Sequence, residues 1–392
     1  PQFITIANID SQDPQQVIEG NEKVIRPRLA DAAFFYDTDR KQPLAARIPG
    51  LANVVFQQQL GTLADKAHRS AAVAAFIAGR INGDVAQARR AAELAKCDLV
   101  TEMVLEFPEL QGIMGRYYAT HDGEPAEVAQ ALEEQYLPRF AGDGIPACRT
   151  GQALALADRL DTLTGIFGIG QRPSGTKDPF ALRRAAIGVL NIMIKGELDL
   201  DLRELLELAA AQHQELPYAE KLVDEVLGYM LDRFRAWGQD EGIPAEVYLA
   251  VRARPVTKPL DFARRMRAVH VFTQREEAAA LAAANKRVSN ILAKQAGELG
   301  MQVNEALLQE SAERTLYEAV ATSRERVLPL FSEGRYREAL DILAGLRAPV
   351  DAFFDDVMVM ADDDDVRRNR LTLLAGLQAL FLEVADIALL QQ

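Results

Sequence analysis

Residues 276–294 read EEAAALAAANKRVSNILAK, and this stretch decides the fold class. Leu281, Val288, Ile291 and Leu292 recur at helical spacing and can share one buried side, while Lys286, Asn290 and Lys294, four residues apart, fall on another with Arg287 beside them. Farther along, Leu373, Leu377, Leu380, Val384 and Ile387 alternate spacings of four and three. The same period holds over most of the chain, aromatic residues are few, and no repeat appears beyond the acidic run 362–365. The expectation is an all-α protein of several helical units, because 392 residues exceed one ordinary core.

Outward from that bundle, helices are predicted over 21–41, 51–81, 85–106, 125–136 and 147–163, punctuated by Pro43, Gly83, Pro108, Gly123 and Pro138. Pro27 fits the first of these only if it lies in the first turn. A glycine-rich loop over 165–177 is closed by Asp178-Pro179, good starting residues for the helix PFALRRAAIGVLNIMIK. The opening Phe3-Ile4-Thr5-Ile6-Ala7-Asn8-Ile9 alternates like a strand with no partner nearby. Residues 1–20 are therefore expected to close a preceding, truncated domain, with a helical domain over 21–197, a connecting helical module over 198–275 and a helical bundle over 276–392.

A net charge of −13 excludes a generally basic coat, so any contact with nucleic acid must use local patches. Cys97 and Cys148 form neither a CxxC pair nor a disulfide framework, as fits a reducing, cytoplasmic setting. No run approaches the roughly 18 apolar residues of a membrane span, and no signal-peptide pattern opens the chain.

Gly170 and Gly175 are spaced as in a phosphate loop, but Thr176-Lys177 reverse the required Lys-Ser/Thr order and no strand precedes them. A glycine-rich turn at a helix start is the better reading, although its amides, with Arg172, Lys177, Arg183 and Arg184, can hold an RNA phosphate. His121-Asp122 invites comparison with metal-dependent HD phosphohydrolases. Asp98 on one predicted helix, followed by Asp158 and Asp161 on another, matches that scheme better, but the histidines are missing and these positions read as degenerate. His68, His213 and His270 are dispersed, and no nucleophile has a base beside it in sequence. No catalytic residue is expected, and no metal site.

Between Arg252 and Arg275 the chain carries Arg254, Lys258, Arg264, Arg265 and Arg267 against the single acid Asp261. That contrast points to an anionic partner or to a solvated face paired with acids elsewhere. Arg367, Arg368 and Arg370 occupy the first turn of the last helix, where the dipole disfavours cations, so the acidic run or a phosphate must offset them.

Five stretches together carry a resemblance: VIRPRLADAAFFYDTDRKQPL from Val24, FQQQLGTLADK from Phe56, DLVTEMVLEFPELQGIMGRYYA from Asp98, PSGTKDPFALRRAA from Pro173 and AAANKRVSNILAK from Ala282. The chain resembles the β subunit of the bacterial two-subunit glycyl-tRNA synthetase, co-linearly from Phe3 to Leu390. The resemblance implies an α2β2 ligase in which a separate α subunit activates glycine with ATP and magnesium, while β binds tRNA(Gly). It implies an HD-like helical domain without its metal histidines, and a C-terminal bundle like the DALR anticodon-binding domain, although the motif itself is not spelled out.

The expected RNA contacts are Arg26, Arg28, Arg40, Lys41, Arg172, Lys177, Arg183, Arg184, Arg264, Arg265, Lys286, Arg287, Asn290, Arg367 and Arg370. Phe353 and Phe354 can stack on bases, but core packing is the simpler expectation. No cofactor is expected within this stretch. Two rival readings remain: an HD-type phosphohydrolase using Asp98, Asp158 and Asp161, and a structural assembly module.

Overall fold

The computed structural model describes residues 2–8, 10–140, 142–294, 300 and 302–390. Of the predicted opening strand, Ile9 lies outside the described residues, as does Pro1, and residues 2–8 form no strand. The chain separates into two compact units, Pro1–Ile192 with Leu205–Leu222, and Met193–Glu204 with Val223–Gln392. Residues 205–222 of the expected connecting module thus belong to the first unit and the rest of it to the second.

In order come α1 (Pro14–Asp39), α2 (Leu63–Arg80), α3 (Val85–Leu94), α4 (Glu102–Glu106), α5 (Ile113–His121), α6 (Ala126–Glu134), α7 (Arg149–Gly168), α8 (Leu182–Lys195) and α9 (Leu202–Ala211). There follow α10 (Leu222–Leu231), α11 (Phe234–Asp240), α12 (Ala245–Arg252), α13 (Pro259–Thr273), α14 (Glu276–Ala293), α15 (Ser311–Ser332), α16 (Tyr336–Ala344), α17 (Arg347–Asp356) and α18 (Asp364–Leu382). Among the described residues the only sheet is a hairpin, Val55–Gln57 against Gly61–Thr62. The expected all-α class is what the structure has.

Several boundaries differ from expectation for local reasons. Pro27 lies inside α1, because Asp13 caps a helix that begins at Pro14 rather than at residue 21, and Pro14 takes the first-turn position. The helix expected over 51–81 begins only at Leu63, after a 3-10 turn and the hairpin; Thr62 and Asp65 form a capping box, with Asp65 Oδ2 accepting the Thr62 amide at 2.7 Å. The helix expected over 85–106 breaks into α3, a 3-10 turn Cys97–Val100 and α4. Asp39, buried at the end of α1, accepts the amides of Glu102 and Met103 at 3.0 Å each, so α4 starts where a carboxylate from another helix meets its unsatisfied N–H groups.

The first unit is built around α7, which is buried on nearly every side and packs on α2, α3 and α6. Its small residues permit close approach: a Cβ on Gly168 would come within 2.8 Å of Leu216. In the second unit the rings of Phe234 and Phe262 stack at 4.3 Å, and α14 packs against α17, α18 and the turn Ile387–Leu390. Leu373, Leu377, Leu380, Val384 and Ile387 are all buried there, as their spacing predicts.

Candidate nucleic-acid interface

Asp158 and Asp161 lie one turn apart on α7, beneath α2. Lys66 of α2 reaches both, 3.4 Å from Asp158 Oδ1 and 3.0 Å from Asp161 Oδ2, and Lys96 stands 3.1 Å from Asp158. Arg69 Nε donates to Asp161 Oδ1 at 2.6 Å. Burial pushes both carboxyls upward, but Lys66 outweighs it, with Lys96 at Asp158 and Arg69 at Asp161, and holds both below the ordinary carboxylate range.

Asp98 is not on a helix as expected but in the 3-10 turn. There it accepts the amides of Gly112 at 2.5 Å and Gly115 at 3.3 Å, at the start of α5, where Gly112 takes up φ 80°. Burial raises its pKa, with the amide donors opposing.

His213, dispersed in sequence, comes to 3.5 Å from Asp161 and 3.4 Å from the Thr164 hydroxyl; burial depresses its pKa against the pull of Asp161. Even so, each α7 carboxylate already has cationic partners, and among the described residues no three His, Cys, Asp or Glu side chains gather to ligate. The donor set does not fit a divalent ion, and no metal-assisted step follows from it. His121-Asp122 has other work: the Asp122 carboxylate accepts the Leu44 amide at 2.5 Å, and His121 Nδ1 is 3.2 Å from Arg40.

The basic residues divide between surface and scaffold. On α1 and just beyond, Arg26 pairs with Glu22, Arg28 pairs with Glu106 and lies over Phe107 at 4.9 Å, Arg40 lies over Tyr36 at 5.0 Å, and Lys41 is exposed. The loop before α8 is a tight turn in which Ser174 and Lys177 exchange backbone hydrogen bonds, with Arg172 and Lys177 exposed on it. The α8 start cannot take a phosphate as expected, since Asp178 already accepts the amides of Leu182 at 2.8 Å and Arg183 at 2.9 Å. Arg183 is bound to the Gly175 carbonyl, while Arg184 is exposed.

In the second unit the stretch from Arg252 to Arg275 finds its acids at a distance in sequence. Lys258 meets Asp199, Arg267 meets Glu241, and Arg275 meets Asp341. Arg265 is scaffold, donating to Asp261 at 2.7 Å, to Tyr336 Oη at 2.8 Å and to the Val384 carbonyl at 3.0 Å. Arg264 is exposed.

Arg370 is the clearest departure. It is only 5% exposed and donates to the fully buried Glu313 and to the Met358 carbonyl at 2.8 Å, so it belongs to the scaffold. Arg367 is tied to Asp364 and the Ala361 carbonyl, so the acidic run offsets the arginines at this helix start without phosphate. Phe353 is core.

One face keeps the expected character: Lys286, Arg287, Asn290 and Lys294 are exposed along α14, and Arg287 lies 4.3 Å above the half-buried ring of Phe354. A guanidinium held over an aromatic ring can offer hydrogen-bond donors and a stacking plane to an unpaired base.

Comparison with known proteins gives two family matches. Residues 1–253 match the family model described as glycyl-tRNA synthetase beta subunit, and residues 281–387 match the DALR anticodon binding domain, which contains the α14 face. Over its whole length the chain is 76% identical to a glycine–tRNA ligase beta subunit of Chromohalobacter salexigens and 60% identical to that of Marinobacter nauticus. It spans 57% and 56% of those two proteins.

Proposed function

The chain belongs to the glycyl-tRNA synthetase beta-subunit family, and from that premise we propose that it grips glycine-specific tRNA along its body and anticodon. A separate α subunit, binding ATP and magnesium, carries out glycylation in a cytosolic α2β2 assembly. The contribution of this chain is binding energy and orientation, by which the tRNA 3′ end is delivered to chemistry performed elsewhere.

The observation that carries this reading is the α14 face, Lys286, Arg287, Asn290 and Lys294, inside the segment that matches an anticodon-binding domain. Lysine and arginine supply phosphate contacts. Asn290 and Arg287 add groups able to read or stack on exposed bases. The rival reading as a phosphohydrolase loses its support, because Lys66, Lys96 and Arg69 occupy Asp158 and Asp161, while Asp98 accepts backbone amides.

Fluorescence anisotropy at fixed salt tests the proposal with glycine tRNA, the same tRNA carrying a changed anticodon, and an unrelated tRNA. Preference for the correct anticodon, reduced by Arg287→Ala, is the expected result. Equal weak binding of all three would instead leave an assembly module.

A further inference from the structure

A cleft of about 480 Å³ opens in the first unit beside the C-terminal half of α7, lined by Arg139, Arg159, Arg184, Tyr136 and Phe180 among others. Arg159 is 9% exposed, and its guanidinium donates only to carbonyls: those of Gln135 and Leu137 at 2.8 Å, Ala155 at 2.9 Å, Tyr136 at 3.1 Å and Pro138 at 3.4 Å. Carbonyls satisfy its donors but leave its charge uncompensated. Arg139 and Arg184 are exposed on the same cleft, and among the described residues no carboxylate forms an ion pair with any of the three.

Two acids also line the cleft. Asp158 is spent on Lys66 and Lys96, which leaves the exposed Glu109 against three guanidinium groups. Burial depresses the Arg159 pKa against the pull of Asp158, and the neighbouring Arg184 adds to the depression. The Tyr136 hydroxyl, on a residue that lines the cleft, is buried without any hydrogen-bond partner. In a chain of net charge −13, three arginines with no carboxylate paired to them among the described residues, beside an unsatisfied hydroxyl, describe a place for an anion.

We propose that this cleft binds a phosphate monoester of nucleoside size, its phosphate against Arg139 and Arg184 above the fixed charge of Arg159, and the remainder against Tyr136 and Phe180. The volume suits a mononucleotide, being within the roughly 300–1,000 Å³ of small-molecule sites. The site is separate from the anticodon-reading face and needs no metal. It goes beyond the tRNA reading and stands or falls without it.

Isothermal titration calorimetry on the 392-residue chain, in chloride buffer of constant ionic strength, compares AMP, inorganic phosphate and adenosine. AMP is expected to bind and to be displaced by inorganic phosphate, while adenosine gives no heat. The Arg139→Gln/Arg184→Gln double variant, both positions being exposed, is expected to weaken AMP at least about tenfold while Arg184→Lys stays within a few-fold. Displacement by phosphate is read on the unaltered protein and so does not depend on a variant's folding. The proposal is overturned if AMP shows no binding at millimolar concentration, if adenosine binds equally well, or if the double variant binds AMP unchanged. It is also overturned if only a 5′-phosphorylated RNA oligomer, and not AMP, is held.

Discussion

Lys66 Nζ stands 3.0 Å from Asp161 Oδ2 while remaining within 3.4 Å of Asp158 Oδ1, so a single ammonium group from α2 serves two carboxylates on α7. The same nitrogen donates to the Asp158 carbonyl at 2.9 Å and to the Thr162 hydroxyl at 2.8 Å, which uses every proton it has. This position is therefore a structural joint between two helices.

Removing the ammonium should be costly for that reason. Lys66→Met leaves Asp161, 1% exposed, with Arg69 as its remaining close cation, and is expected to destabilise the first unit by about 3–5 kcal/mol. Urea unfolding of wild type and variant checks this through the midpoint at unchanged slope. A loss below about 1 kcal/mol would show that the joint is not needed.

The same site predicts a pH dependence. Asp158 and Asp161 have folded pKa values below their unfolded ones, so their contribution to stability is present above about pH 4 and is lost as pH falls through the folded values. With Lys66 gone, burial acts with less opposition and the folded values rise. The deficit of Lys66→Met should therefore shrink between pH 7 and pH 4, measured by the same urea titrations. A deficit that grows in acid would contradict the assignment.

What could be read from the sequence was local. The spacing from Leu373 to Ile387 identifies a buried helix face because the period depends only on neighbours along the chain, and Thr62 with Asp65 is a cap signal of the same kind. Charge partners are not local. Arg370 looked like a surface cation because its partner, Glu313, lies on another helix 57 residues away, and Lys258 found Asp199 at a separation of 59. A signal for the first-unit joint did exist: Lys66 and Arg69 sit among Ala67, Ser70, Ala71 and Val73, a face too small and apolar for solvated cations. His213 had no such signal, since its place beside Asp161 depends on how the chain returns after α9.

Arg370 and Glu313 give a second stability test, one that also separates scaffold from interface. Burial raises the Glu313 pKa while Arg370 and the amides of Glu310 and Gln309 lower it, with the net result below the ordinary range. Arg370→Ala strips the main cation from a fully buried carboxylate and is expected to cost about 3–5 kcal/mol. Arg370→Met combined with Glu313→Gln should cost much less, since no charge is left unpaired. Thermal melting of the three proteins decides; equal losses in the single and double variants would mean that packing, rather than charge, dominates.

The α14 face should behave in the opposite way. Arg287 and Lys294 are exposed, so Arg287→Ala and Lys294→Ala are each expected to change stability by less than about 0.5 kcal/mol beyond the cation–π contact of Arg287 with Phe354. On the proposed function, their effect falls on tRNA binding. Each cation that neutralises a phosphate releases a counter-ion, and its removal lowers the slope of log affinity against log salt by roughly 0.7–0.9. Anisotropy titrations with glycine tRNA over a series of salt concentrations should show that reduction for Lys294→Ala. Arg287→Ala, if the guanidinium stacks on a base, should weaken binding with a smaller change in slope and relax discrimination between anticodons. Unchanged affinity and slope in both variants would remove α14 from the interface and move the tRNA contact to the first unit, where Arg26, Arg28 and Lys41 become the next residues to vary.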